Sequence, residues 1–422
     1  MRILLISTTL PWPLEQFGGA QRSGLLLKAL RNWGDVDVLV ASEKEHFEWP
    51  GVFEKMDDSS GYGIRKLELD FTREAGPWRQ LAPLARGKLK SLLHELARCK
   101  ADFTPERTAV ESMRQVVRDG GYDIVVVRHL RSATKTGSAF LLRTKVLLDY
   151  DDIDWQVHRT REEVSDRPII KRFRDDCTSK YLEGIARRSL PNFAHIWAAS
   201  EEDQTEIALQ HCSVLPNVPI LPPAGMRDSR KDGPRDDTIL FVATLGYSPN
   251  TQGLDRFLSR VWPAVHQAHP GVHLKVVGKP PEDSQQVEAW KQAPNVDFLG
   301  FVENLDDSYA RALFTIAPIY WGGGTKIKVL ESLGRGRTCV ATPHALFGVG
   351  QHIRHDDSVW CADMDEDFVQ GCITLLETPD LRKRMEVKGA AVVQEHYSIE
   401  TFNQAVDKVM CQFQESAATG KT

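Results

Sequence analysis

The chain has 422 residues, 41% apolar and 26% charged, enough for two or three soluble domains that each bury a core. A formal net charge of −5 gives no sign of a nucleic-acid partner. Seven scattered cysteines without a CxxC pair favour reduced thiols in a cytoplasmic protein and argue against a disulfide framework or a zinc site. The opening "MRILLISTTLPW" predicts a buried strand instead of a signal peptide, and no apolar run is long enough to cross a bilayer.

Short apolar runs alternate with helical segments along the whole chain. In the first half we predict strands at "RILLIS", "VDVLVA", "IRKLEL", "DIVVVR", "KVLLD", "HIWAAS" and "SVLP". Helices are predicted between them, for example at "QRSGLLLKAL" and "ERTAVESMRQVV". After the polar stretch "AGMRDSRKDGPRDD", the second half repeats the alternation, with strands at "TILFVA", "LKVVG", "VDFLG", "LFTIAPI", "RTCVAT" and "SVWCA".

Two successive β/α series of similar size predict an α/β protein with two doubly wound parallel sheets. In such folds ligands bind at the carboxyl ends of the strands, here in a cleft between the domains. We place the N-terminal domain at 1–218, a linker at 219–237 and the second domain at 238–398. A C-terminal helix at 399–422 is expected to cross back to the N-terminal domain.

The segment "IYWGGGTKIKVLESLGRGRTCVAT" places three glycines and a helix between two apolar runs. We expect the helix to run from Thr325 to about Gly334. Helical spacing then puts Gly324, Lys328 and Glu331 on one stripe. The alternative is a loop followed by a surface Lys–Glu pair without a binding role.

An anion at the start of this helix would meet backbone N–H groups and the positive end of the helix dipole. The N–H groups expected to be free are those of Thr325, Lys326 and Ile327. Lys328 adds a charge-assisted contact, and Glu331 can accept hydrogen bonds from two vicinal hydroxyls. The pattern therefore suits a nucleoside diphosphate sugar, with the anion near the turn and the diol deeper.

The second half resembles the retaining GT-B glycosyltransferases of family-4 type, the glycosyl transferases group 1. The matching pieces, in family order, are "LFVATLGYSPNTQGLDRFLSRVWPAV", "LKVVGKPP", "VDFLGFVENLDDSYARA", "IAPIYWGGGTKIKVLESLGRGRTCVAT" and "LFGVG". The resemblance covers about 235–350, and extends more weakly to "GGAQRSGLLLKAL", "AASEEDQ" and "VLPNVP". The glycine loop is similar to that of a subgroup with GGGT before K-x-L-E. The resemblance implies two Rossmann-like domains that face a central cleft.

The same resemblance assigns roles to individual residues. Glu331 matches the glutamate that holds the ribose, and Gly323 stands where the family's first glutamate lies near the donor sugar. Val302, which follows "LGF", matches a position that lines the base. Gly18 and Gly19 match the glycine pair at which the backbone approaches the donor phosphate or the acceptor.

The family's two diphosphate-clamping cations are missing here. Their positions fall around Thr244 and Gln252, so the resemblance implies that Lys328, with Asn250 or Lys326, supplies the positive charge. The predicted donor-binding residues are Gly18, Gly19, Asn250, Val302, Gly323, Gly324, Thr325, Lys326, Lys328 and Glu331.

The sequence "KVLLDYDDIDW" places four aspartates after a buried strand, Asp149, Asp151, Asp152 and Asp154. A metal-binding DxD site, a phosphatase with Asp149 as nucleophile, a helix cap and ion pairs with nearby arginines all remain open. The strand end also resembles the place where related glycosyltransferases carry a catalytic histidine, and D-V-D-S in one subgroup matches "DID" here. On that resemblance Asp152 joins Lys328 and Glu331 as a catalytic candidate. His129 is expected to be a packed or surface histidine.

A basic amphipathic stretch, "WRQLAPLARGKLKSLLHELARCK", carries six cations against Glu95 alone: Arg79, Arg86, Lys88, Lys90, Arg98 and Lys100. Its leucines form a helical apolar stripe. Such a segment can contact anionic lipid at the inner face of the membrane, which would suit a lipid-linked acceptor. The alternative is a helix packed on the N-terminal domain with a solvated basic face.

The resemblance implies an enzyme that moves a sugar, of hexosyltransferase type (EC 2.4), from a nucleoside diphosphate donor to a hydroxyl acceptor with retention. The acceptor would be a glycan, a lipid-linked molecule or a protein, in glycan, polysaccharide or glycoconjugate biosynthesis. The scheme requires no metal and no cofactor, because backbone N–H groups and Lys328 stabilise the leaving diphosphate. Two alternatives share the fold: a nucleotide-sugar epimerase and a catalytically silent nucleotide-sugar-binding homologue.

Overall fold

A computed structural model describes residues 1–8, 18–42, 64–68, 88–141, 144–162, 168–222, 235–279 and 285–419. The chain divides into two compact units. One unit comprises Met1–Pro216 and Phe402–Thr422, and the other comprises Asn217–Thr401. Most of the linker predicted at 219–237 lies outside the described residues.

Within the described residues, the first unit contains a seven-stranded parallel sheet in the order β3-β2-β1-β4-β5-β6-β7. Its strands are β1 (Arg2–Ser7), β2 (Asp35–Ser42), β3 (Ile64–Glu68), β4 (Ile124–Arg128), β5 (Lys145–Tyr150), β6 (His195–Ala198) and β7 (Cys212–Val214). They correspond to the seven apolar runs of the first half. Strands β1, β4 and β5 are almost entirely buried, as expected for a parallel sheet covered on both faces.

The second unit contains a six-stranded parallel sheet in the order β10-β9-β8-β11-β12-β13, again within the described residues. Its strands are β8 (Thr238–Val242), β9 (His273–Val277), β10 (Val296–Gly300), β11 (Phe314–Ala317), β12 (Cys339–Ala341) and β13 (Trp360–Cys361). All six predicted runs form strands, so the predicted doubly wound α/β fold is confirmed. Strand order reverses between β1 and β4 in one sheet and between β8 and β11 in the other.

Helices pack on both sheets. In the first unit they are α1 (Gly18–Leu30), α2 (Lys88–Phe103), α3 (Arg107–Gly120), α4 (Leu130–Lys135), α5 (Asp154–Glu162), α6 (Ile169–Ser189) and α7 (Glu201–Ile207). In the second they are α8 (Ser248–Arg256), α9 (Trp262–Ala268), α10 (Gln285–Lys291), α11 (Asp306–Arg311), α12 (Ile327–Gly334), α13 (Asp365–Glu377) and α14 (Pro379–His396). Among the helices described, none has the length and apolar character that crossing a bilayer would need.

The last helix, α15 (Ile399–Thr419), packs within the first unit from Phe402 onward. The indole N–H of Trp33 donates to the Asp407 carboxylate at 2.6 Å. The Lys145 ammonium lies 5.2 Å from the centre of the Phe413 ring. These contacts attach the C-terminal helix to the turn that follows α1 and to the start of β5.

One close contact in the second unit fixes helix α8 against the end of β11. A Cβ atom at Gly253 would lie 1.9 Å from the carbonyl oxygen of Pro318, so only glycine fits there. We expect Gly253→Ala to destabilise the protein by about 1–3 kcal/mol through overpacking. Urea denaturation measures this change in the free energy of unfolding.

Gly246→Ala is the matched control for Gly253→Ala, because no atom lies within 4 Å of a Cβ at Gly246. We expect its free energy of unfolding to stay within about 0.5 kcal/mol of the wild type. Equal stability of the two variants would contradict the close packing of α8 on Pro318.

Candidate functional site

The glycine loop follows β11, at the point where strand order reverses in the second sheet. Ligands of open α/β sheets bind at this point. Gly322 has φ 119° and Gly324 has φ 64°, left-handed conformations that favour glycine. The loop conformation therefore depends on these two residues.

Two side chains hold the carbonyl groups of the loop. The Lys326 ammonium donates to the carbonyl oxygens of Gly323 at 2.6 Å and Gly324 at 2.5 Å, and Lys326 is only 8% exposed. His344 Nε2 lies 2.9 Å from the carbonyl oxygen of Gly322. Burial, followed by the charge of Lys326, lowers the His344 pKa to about 4, so a neutral imidazole donates this bond through Nε2–H.

The N–H groups of the loop follow from these contacts. In a planar trans peptide the N–H points away from the carbonyl oxygen. With the carbonyls drawn toward Lys326 and His344, the N–H groups of Gly323, Gly324 and Thr325 face away from those side chains. The Thr325 hydroxyl is buried and makes no hydrogen bond within the described structure. Three backbone donors and this hydroxyl are therefore available near the start of α12.

This set differs from the N–H groups that the sequence predicts. The helix begins at Ile327, not Thr325, and the Ile327 N–H already donates to the Thr325 carbonyl at 3.0 Å. Lys326 precedes the helix with φ −83° and ψ 82°. Its ammonium donates hydrogen bonds to the carbonyl oxygens of Gly323 and Gly324. Lys326 thus positions the loop, and the free donors lie two residues earlier than expected.

Lys328 and Asn250, two of the predicted donor-binding residues, contact each other in the second unit. The Lys328 ammonium donates to Asn250 Oδ1 at 2.6 Å, and Asn250 Nδ2 donates to the Thr244 carbonyl at 2.9 Å. Burial, followed by the charge of Lys326, lowers the Lys328 pKa to about 7. Gln252, by contrast, accepts a hydrogen bond from the Trp321 indole at 3.0 Å and supports the loop.

Glu331 lies three residues after Lys328 on α12 and is half-buried. Burial, followed by the Glu331 charge, raises the pKa of Tyr309 above its usual range. Val302 packs on the small apolar cluster that contains Tyr309, Leu240 and Val277.

Gly18 and Gly19 form the start of α1, in the first unit. Their assignment to the donor site stays a prediction. Gly323 belongs to the glycine loop and contributes a carbonyl to Lys326 and an N–H to the set of free donors. No side chain replaces the family's first glutamate at this position.

The acidic strand end of the first unit forms a buried network with two arginines. Asp149 is fully buried and accepts from Arg22 Nη2 at 2.6 Å and from Arg128 Nε at 2.8 Å. Arg128 Nη2 also donates to Asp151 at 2.6 Å. Asp149 therefore cannot serve as a phosphatase nucleophile, and the ion-pair interpretation holds for Asp149 and Asp151. A metal site of three or more His, Cys, Asp or Glu side chains is not found among the described residues.

Asp152 is exposed. Asp154, the first residue of α5, accepts a hydrogen bond from the Tyr150 hydroxyl at 2.9 Å. Burial, followed by the charge of Asp152, raises the Asp154 pKa to about 7. The catalytic role of Asp152 stays a prediction.

His129, expected to be a packed or surface histidine, is partly buried, with 31% of its side chain exposed. It directly follows β4 with φ 66°, a conformation that non-glycine residues rarely adopt and that often marks functional sites. Its Nδ1 lies 3.4 Å from Asp151 Oδ1, and burial lowers its pKa. It lies at the carboxyl end of a buried strand, beside the switch point between β1 and β4.

Two doubly wound parallel units, which match solved GT-B glycosyltransferase structures, define the GT-B fold. Residues 236–378 match the family model described as glycosyl transferases group 1. The second unit therefore carries a domain of this family.

Similar proteins match along almost the whole chain. An "uncharacterized 44.6 kDa protein in cps region" of Klebsiella pneumoniae is 20% identical over 410 residues, covering 94% of this chain and 96% of its own length. Sucrose-phosphate synthase of Thermosynechococcus elongatus superposes with TM-score 0.68 at 14% identity, covering 98% of this chain and 99% of that one. The Anabaena protein HepE in complex with UDP gives TM-score 0.63 at 13% identity, covering 97% of this chain and 99% of that one.

Proposed function

We propose that the protein is a retaining glycosyltransferase that moves a sugar from a nucleoside diphosphate donor to a hydroxyl acceptor. One observation carries the proposal. Free backbone donors at Gly323–Thr325, the Lys328 ammonium and the Glu331 carboxylate occur on a single loop and helix, inside the matched group 1 domain. This arrangement suits a diphosphate beside a ribose diol.

Each residue has a chemical role in this proposal. The N–H groups of Gly323, Gly324 and Thr325 and the positive end of α12 bind the diphosphate. Lys328 stabilises negative charge on the departing phosphate, which is the main electrostatic contribution to catalysis. Glu331 accepts hydrogen bonds from the two ribose hydroxyls, and the base lies near Val302.

The reaction exchanges one bond at the anomeric carbon for another on the same face. The bond to the donor phosphate oxygen breaks as the bond to the acceptor oxygen forms. The acceptor proton passes to the leaving phosphate, so the enzyme needs no base of its own, no metal and no cofactor. Catalysis then depends on positioning and on stabilisation of the leaving group.

The relatives support narrower proposals. HepE is described in complex with UDP, which favours a uridine diphosphate sugar here. The Klebsiella protein is described from a cps region, which favours glycan or polysaccharide biosynthesis. On the family resemblance alone, the transferred sugar would be a hexose. We place the enzyme in the cytoplasm, with a glycan, lipid-linked or protein acceptor. The basic stretch at 79–100 lies partly outside the described residues, and its contact with the inner membrane face stays a prediction.

A thermal-shift screen against a panel of nucleotide sugars tests the proposal. We expect one donor to raise the melting temperature through binding to the native state, and free UDP to do so less. Transfer to a glycan acceptor, with the anomeric configuration of the product read by NMR, then tests retention. No shift with any nucleotide sugar, or an inverted product, would contradict the proposal.

The same assay separates the two alternatives. An epimerase would convert the nucleotide sugar without any acceptor. A silent homologue would bind the donor and neither transfer nor hydrolyse it. This comparison is informative because Gly323 stands where the family carries a glutamate near the donor sugar, so this chain has no charged side chain there.

A further inference from the structure

Arg22 is a buried cation of the first unit that contacts both places where the chain passes from one unit to the other. The first unit ends its first segment at Pro216 and resumes at Phe402. Arg22 Nη1 donates to the carbonyl oxygen of Leu215 at 2.9 Å, one residue before the first crossing ends. The Arg22 guanidinium carbon lies 5.9 Å from the centre of the Phe402 ring, at the second crossing. One side chain therefore contacts two crossings that are far apart in the sequence.

Two carboxylates at the end of β5 fix the Arg22 side chain. Arg22 Nε lies 3.0 Å from each oxygen of Asp149, and Arg22 Nη2 donates to Asp149 Oδ1 at 2.6 Å. Asp149 is also bound by Arg128 Nε at 2.8 Å, and Asp151 Oδ2 lies 3.8 Å from Arg22 Nε. The Arg22 side chain is 2% exposed and that of Asp149 is fully buried. Because a guanidinium binds a carboxylate in a fixed planar fork, these contacts set its orientation.

A buried ion pair is a weak source of stability. Desolvation of two charges can exceed their attraction, and apolar residues of similar volume are often as stable. Buried pairs are better attested where they select one arrangement of the chain. The Arg22 guanidinium can do this, because Asp149 binds Nε and Nη2 while Nη1 and the guanidinium carbon meet the two crossings.

The crossing residues that Arg22 contacts belong to the core of the first unit. Leu215 and Phe402 are both fully buried. The Leu215 N–H donates to the Ala198 carbonyl at 2.8 Å, directly after β6, so the first crossing starts from the sheet. A displacement of Arg22 must therefore be accommodated at both crossings, since each is closely packed.

We propose that Arg22 is a clamp that couples the two crossings, so that they loosen together. Asp149 is the fixed support of this clamp. Both contacts depend on one orientation of the same guanidinium, so a change at one crossing alters the contact at the other. The clamp contains no residue of the glycine loop and acts without a ligand, so it can be tested independently of the proposed glycosyl transfer.

Hydrogen–deuterium exchange of the full chain, measured by mass spectrometry of its peptides, tests the proposal. Arg22→Lys keeps the positive charge beside Asp149 but loses the bond from Nη1 and the planar group beside Phe402. We expect the peptides that contain Leu215 and Phe402 both to exchange at least about tenfold faster, because a hydrogen bond from a charged group is lost. The α3 peptide of the same unit should exchange as in the wild type.

Phe402→Leu tests whether the effect passes from one crossing to the other. The substitution keeps a large apolar side chain and removes the aromatic ring. We expect about two- to fivefold faster exchange at Leu215, on the other crossing, because a cation–π contact is lost. Combining it with Arg22→Lys should give no faster exchange at Leu215 than Arg22→Lys alone, since the connection is already absent.

Arg337→Lys is the matched control, because Arg337 is 1% exposed and donates to backbone carbonyl oxygens of the second unit, such as that of Tyr309. It should leave exchange at Leu215 and Phe402 unchanged. Faster exchange at only one crossing in Arg22→Lys would overturn the proposal. So would unchanged exchange at Leu215 in Phe402→Leu, which would show that the crossings are independent. If Arg22→Lys folds poorly, the α3 peptide will also exchange faster, and the Phe402→Leu comparison then decides.

Discussion

Replacing Lys328 by alanine is expected to lower kcat by roughly 100- to 1,000-fold, the usual effect of removing one donor from a developing negative charge. The Lys328 ammonium contacts Asn250, whereas the Lys326 ammonium is bound to the carbonyl oxygens of the loop. Loss of Lys328 also weakens donor binding, since a charge-assisted contact with the diphosphate disappears. Steady-state kinetics with a fixed acceptor measure both effects.

Lys275→Ala provides the control for Lys328→Ala. Lys275 lies on β9 and pairs with Asp236 at 3.0 Å, away from the glycine loop. We expect its kcat and KM to match those of the wild type. If Lys328→Ala retained wild-type turnover, the diphosphate would have to be stabilised elsewhere.

The pH dependence of donor binding gives a second test of Lys328. Burial and the charge of Lys326 lower its pKa in the free protein to about 7. A bound diphosphate favours the charged ammonium and raises this pKa, so binding takes up a proton above pH 7. Donor affinity should therefore fall as pH rises above about 7, by at most about tenfold per pH unit. Calorimetry in buffers of different ionisation enthalpy measures the proton uptake, which Lys328→Ala should abolish.

Replacing Glu331 by alanine is expected to weaken donor binding by about 10- to 150-fold. The carboxylate would accept hydrogen bonds from two ribose hydroxyls, and a hydrogen bond to a charged group contributes about 1.5–3 kcal/mol. Glu331→Gln keeps an acceptor without the charge and should give an intermediate affinity. Calorimetric titration of the donor measures each dissociation constant.

Two comparisons make the Glu331 result specific. Glu288→Ala removes a mostly exposed carboxylate that pairs with Lys291, and should leave donor affinity unchanged. A 2′-deoxyribose donor should bind the wild type more weakly, yet bind Glu331→Ala and wild type almost equally. Wild-type affinity in Glu331→Ala would remove the ribose assignment while leaving the diphosphate site intact.

The fold could be predicted because its signal is local. Every apolar run proposed as a strand forms one, since a strand buried on both faces needs consecutive apolar residues such as those of "RILLIS" and "DIVVVR". The glycine loop was found for a related reason, because left-handed φ angles at Gly322 and Gly324 require glycine.

The contacts of the site could not be predicted in the same way, because they join distant parts of the chain. Lys328 and Asn250 are separated by 78 positions, and His344 reaches Gly322 across 22 positions. The prediction that the helix includes Lys326 was also wrong, because the helix begins at Ile327. A shift of two residues in the helix start changed which N–H groups are free.

The sequence by itself determined two parallel α/β series, the position of a glycine turn between a strand and a helix, and the carboxylate that follows it, since backbone conformation and burial depend on nearby residues. Only the tertiary structure decided that Lys326 supports the loop while Lys328 contacts Asn250, and that Asp149 and Asp151 are held by arginines. Side-chain direction and charge pairing depend on neighbours from other strands and helices. Residue spacing along the chain does not identify those neighbours.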